Sequence, residues 1–146
     1  MKDKKTNKIV RKKKSRIDTY STMFDIDFIV ANEAVTLEEL RKLYCYTDDD
    51  ELEECYTKWD FCTGKVKRKS DGAHCILVKY NQTSDSFVSS GDELLDLVDG
   101  CSHEATHVVL DIYAMTSTTV DMDNQENCAY FIGYVTERIL KTLLNK

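Results

Sequence analysis

Nothing in this chain approaches the ~18 consecutive apolar residues of a membrane span, so no membrane partner is expected. The basic N-terminus is not followed by the apolar stretch of a secretory signal, which points to a cytoplasmic protein. No C-x-x-C pair occurs among the six cysteines, Cys45, Cys55, Cys62, Cys75, Cys101 and Cys128. Their irregular spacing reads as reduced thiols behaving as small core hydrophobes, Cys75 and Cys101 above all, although an even count leaves a disulfide scaffold open. Proline is absent, from which no functional conclusion follows, and no internal repeat is visible. Histidine is scarce: only His74, His103 and His107 are present.

What is there describes one domain. A length of 146 residues suffices for a single core, and 42% hydrophobic with 32% charged residues is a globular composition. Charge is unevenly placed. Residues 1–16 carry a net +8 and residues 17–146 a net −14, which together give the formal −6. The expectation is a basic disordered arm over 1–16 on a single acidic domain over 17–146. The arm is a candidate contact for nucleic acid, although no aromatic residue is interleaved in it for base stacking.

Along the chain, Met23–Ala31 is apolar and partly alternating, so it reads as a strand. Thr36-Leu37-Glu38-Glu39 is a capping box that opens a helix predicted to end near Tyr46, followed by the acidic run Asp48–Glu54. Trp59–Lys69 and His74–Tyr80 flank Asp71-Gly72 as the two arms of a hairpin. His74 beside the turn is expected to be an exposed hairpin residue. The polar stretch Asn81–Ser90 links to a long helix capped by Ser90 or Asp92 and running to about Met115. Gly100 inside it either breaks the helix or permits close packing. A last helix spans roughly Asp123 to Leu144, with Ala129, Ile132, Gly133, Val135, Ile139, Leu140 and Leu143 as its apolar face.

The long helix carries His103-Glu104-Ala105-Thr106-His107, an H-E-x-x-H. Positions i and i+4 share a helix face, so both imidazoles can reach one metal ion, with a carboxylate beside the first. A catalytic zinc site takes three protein ligands and leaves a fourth position for water. No further histidine follows, so the third ligand would be a carboxylate. Glu126, placed 19 residues after His107 and on the side of Ala129 and Gly133, fits; Asp121 and Asp123 compete. Asp111, one turn beyond His107, could orient an imidazole N–H.

H-E-x-x-H followed by a Glu some twenty residues on resembles the gluzincin metallopeptidases, and the small size resembles the minigluzincins. The H-E-A-x-H core with the later Glu126-x-x-Ala129-Tyr130-x-x-Gly133 is also similar to small uncharacterised proteins of tailed bacteriophages. The resemblance covers about residues 90–135. It implies an α+β, zincin-like domain: a short mixed or antiparallel sheet packed on the motif helix and the C-terminal helix. It implies Zn2+ held by His103, His107 and Glu126, Glu104 as general base, and a peptide or protein substrate cleaved by zinc-activated water. The substrate would pair with Cys75–Tyr80, including Leu77, Val78 and Lys79, if that run is an edge strand; the other reading is a plain core strand. It implies a host-cytoplasmic location, the virion being the other possibility. The gluzincins stabilise the oxyanion from a further domain; here Tyr113, Tyr130 and Tyr134 are the available phenols, none singled out by spacing. The alternative function is a non-catalytic phage structural or assembly protein whose zinc braces the fold.

Overall fold

A computed structural model describes residues 13–46, 59–82 and 91–146. Five strands, β1 (Ile17–Tyr20), β2 (Phe28–Ala31), β3 (Tyr44–Tyr46), β4 (Phe61–Arg68) and β5 (His74–Tyr80), form one sheet in the order β1-β2-β5-β4-β3. The β2–β5 pair is parallel and the other pairs are antiparallel. With α1 (Leu37–Leu43), α2 (Glu93–Met115) and α3 (Gln125–Leu143), this is a small α+β domain with a mixed sheet.

Side-chain alternation gives each sheet face its own core. Phe28, Val30, Ile76 and Val78 meet α2 and α3 on one face. Ile29, Ala31, Cys62, Val66, Cys75 and Leu77 meet Val35, Leu40 and Tyr44 around α1 on the other. Covered on both faces, β2 is buried at every position. Helix α2 lies over β4 and β5, and α3 over β2 and β1.

Local chemistry explains several boundaries. Thr36 and Glu39 form the expected capping box of α1. The β4–β5 turn is held by Arg68, whose guanidinium donates to Asp71 and Asp27, while Gly72 takes a φ of +73°. That guanidinium, with the Ala73 amide, holds the Asp71 carboxyl down at about 2. Asp92 caps α2 by accepting from the amides of Leu94 and Leu95.

Other expectations are corrected. Only Phe28–Ala31 of the Met23–Ala31 stretch is strand. Thr22 Oγ1 donates to the Ile26 carbonyl and accepts from the Phe24 amide, and the resulting turn sends Phe24 against Tyr113 and Phe131. Helix α1 stops at Leu43 because Tyr44–Tyr46 extends to pair with β4. Residues 13–16 of the basic arm contact the domain: Asn32 accepts from the Arg16 amide and donates to the Lys14 carbonyl, and Lys13 pairs with Glu33. The rest of the basic arm, the acidic run 48–54 and Cys55 lie outside the described residues. The cysteines among the described residues are free thiols. No helix among the described residues is long and apolar enough to cross a membrane.

Gly100 does not break α2; it admits the Phe61 ring of β4. A Cβ there would stand 2.5 Å from Phe61 Cε2. Ala gains about 1 kcal/mol of helix propensity, whereas overpacking costs roughly 1–3 kcal/mol. Gly100→Ala is therefore expected to destabilise by about 1 kcal/mol, read as a lower urea midpoint; a raised midpoint would show the ring yields freely.

Candidate metal centre

The buried stripe of α2 is Cys101, Ala105, Val108, Val109, Ile112 and Tyr113, spaced to follow the 3.6-residue period against the sheet. That period carries His103 and His107 to the opposite side, where both are exposed. Their rings meet edge to face with centroids 4.8 Å apart. The Nε2 atoms converge to 3.1 Å. Two nitrogens bonded to one tetrahedral zinc at ~2.0–2.1 Å stand about 3.3 Å apart. The pair therefore fits two corners of such a site, with solvent access from outside.

Glu104 follows a different direction. Its side chain turns to the flank of α2 that faces β4, where it is 7% exposed and accepts a 2.5 Å hydrogen bond from Thr63 Oγ1. It belongs to a row in which alternate β4 residues meet α2 in order along its length. Phe61 lies under Gly100, Thr63 on Glu104, and Lys65 pairs with Asp111 at 3.3 Å. Asp111 is thus turned toward β4. Phe61, Thr63 and Lys65 were missed from sequence; their alternation was visible, but not which strand lies beside the motif helix.

Glu126 is not brought to the histidines. It lies in the first turn of α3, exposed together with Ala129 and Gly133. Of the expected inward face, Val135, Ile139 and Leu143 are buried and Ile132 and Leu140 pack against the core, with Phe131 and Thr142 added to it and only Ala129 and Gly133 turned out. Helices α2 and α3 pack antiparallel. Tyr113 near the end of α2 stands 6.1 Å from Phe131 near the start of α3, and Leu97 shares a cavity with Leu143 at the opposite ends. From the Tyr113–Phe131 level, His107 lies back along α2 and Glu126 lies in the opposite sense along α3. At 1.5 Å per residue the two are roughly 16 Å apart along the axes. Among the described residues, no three His, Cys, Asp or Glu side chains gather as a metal-binding group. The physical reason is that α2 runs two turns past His107, and the following loop, with exposed Asp121 and Asp123, does not return the chain to it.

The remaining candidates also lie elsewhere. Strand β5 is central, paired to β2 and β4, so Leu77, Val78 and Lys79 are not on an edge open to a peptide. Lys79 is 3% exposed; its ammonium donates to the carbonyls of Asn32 and Tyr80, and burial pulls it down to about 8. Burial likewise pushes the Cys101 thiol up to about 12, which keeps it protonated in the core. Tyr113 is in the core, Tyr134 donates to the Ser21 carbonyl, and Tyr130 is exposed. His74 is exposed at the hairpin, as expected.

Comparison with family models, with curated proteins and with solved structures finds no match to this chain.

Proposed function

We propose that this chain is a zinc-dependent hydrolase of the H-E-x-x-H type, acting on peptide bonds in the cytoplasm of a host cell. The observation that carries the reading is the 3.1 Å convergence of the His103 and His107 Nε2 atoms on the exposed face of α2. These two side chains would hold the ion, which when bound supplies a water of lowered pKa and polarises the scissile carbonyl. Glu104 is the carboxylate next to His103 and the group suited to take the water proton and pass it to the leaving amine. That role requires its side chain to turn from Thr63 toward the histidines. Glu126 does not enter the reading in the register described here, and the solvent side of His103 and His107 is where substrate and the remaining donors would approach.

A second reading has an observation of its own. The Thr63–Glu104 hydrogen bond ties α2 to β4, and a Glu employed in that way suits a non-catalytic structural or assembly protein whose zinc braces the fold. One variant separates the two. Under the hydrolase reading, Glu104→Gln keeps zinc by elemental analysis and loses cleavage of an unstructured protein such as casein by about 100-fold or more. Wild-type protein that binds zinc but cleaves nothing, or a variant that cleaves unchanged, sinks the hydrolase reading. Zinc absent from both removes the metal site itself.

A further inference from the structure

His103 and His107 supply two donors, and a structural tetrahedral zinc site takes four. Among the described residues no third His, Cys, Asp or Glu side chain joins them in a group. The described residues thus present half a site, open to solvent on the outer face of α2. That face continues beyond the motif. Leu110 is 50% exposed and Ala114 is exposed, one and two turns beyond His107 on the same helix. His103, His107, Leu110 and Ala114 recur at alternating spacings of four and three, the pattern of a seam along which a second helix packs.

We infer that a second copy of this chain completes the site: the His103–His107 pairs of two copies clamp one zinc ion across a two-fold axis, with Leu110 and Ala114 packed alongside. In such an isologous contact the same patch serves both partners, so two identical half sites give four imidazoles without any further ligand from either chain. One helix face buries much less than the ~1,200 Å² at which stable interfaces begin, so association depends on the metal. Charge acts in the same direction. Each copy carries a formal −6, and the dication between them offsets part of their repulsion. Four imidazoles leave no position for water, so the paired form is a capped one, and any hydrolysis belongs to the separated chains. The inference rests on reading the histidine pair as zinc ligands; it does not depend on hydrolysis.

The test is sedimentation velocity of the full chain with zinc chloride and with EDTA, together with zinc content. The expected result is a doubling of mass that saturates at about one zinc per two chains and reverses with EDTA. His103→Ala should remain monomeric with zinc, its unchanged circular dichroism showing an intact fold. Leu110→Asp should require about tenfold more protein to pair. A monomer that holds one zinc per chain overturns the inference and leaves the metal reading standing. A chain that takes up no zinc overturns both. A dimer that forms in EDTA, or that survives His103→Ala, also overturns it, because the contact would then not be the metal's.

Discussion

Replacing His107 with Ala is expected to lower zinc affinity by on the order of 100-fold or more while leaving the fold intact. Losing an outer-sphere partner of a zinc ligand already costs roughly 10–100-fold, and His107 is one of the two donors that converge here among the described residues. The side chain is exposed, and the contacts it makes are to His103. Its removal therefore takes no packing from the core and should leave the metal-free melting temperature within about 1–2 °C, as for surface substitutions generally. Competition against a chromogenic zinc chelator measures the first quantity and a thermal melt in EDTA the second. An affinity within threefold of wild type would mean that zinc is not held at this pair. A large drop in melting temperature would mean that the imidazole contributes to the fold.

Phe28→Ala should produce the largest loss of stability, about 3–5 kcal/mol. Phe28 is fully buried in β2 between the sheet and α3. Its ring stacks on Tyr20 at 5.3 Å and meets Tyr134 edge-on at 6.3 Å. The cavity left behind cannot readily collapse. Tyr20 is tied to Thr142, whose hydroxyl also donates to Asp18, so the end of α3 is pinned to β1. A domain of this size is stable by about 5–15 kcal/mol, so a loss of that order is a large share of the total. Urea unfolding followed by circular dichroism reads it as a lowered midpoint with an unchanged slope. A loss below about 1 kcal/mol would mean that the α3–sheet layer closes over the gap.

The elements legible beforehand were those whose signals are local. Thr36 and Glu39 announced α1, Asp71-Gly72 the β4–β5 turn, and Ser90 or Asp92 the start of α2, where Asp92 is the cap. The 3.6-residue period put His103 and His107 on one face before any tertiary contact was known, and the structure brings their nitrogens together. Other features were not legible, because they depend on partners distant in sequence. Tyr44–Tyr46 continues the spacing of α1, yet pairing with β4 draws it into the sheet. Ala129 and Gly133 looked apolar enough to face inward, but the larger Phe131, Val135 and Ile139 take the core and rotate Glu126 to solvent.

The sequence by itself thus determined that two histidines share one face of a capped helix, since spacing along a helix fixes which side chains lie together. The tertiary structure decided what surrounds that face. It made β5 the central strand, set Thr63 against Glu104, and placed Glu126 roughly 16 Å along the helix axes from His107. The physical reason is that the register between α2, α3 and the sheet is chosen by how the whole apolar layer fits. No local spacing encodes that fit.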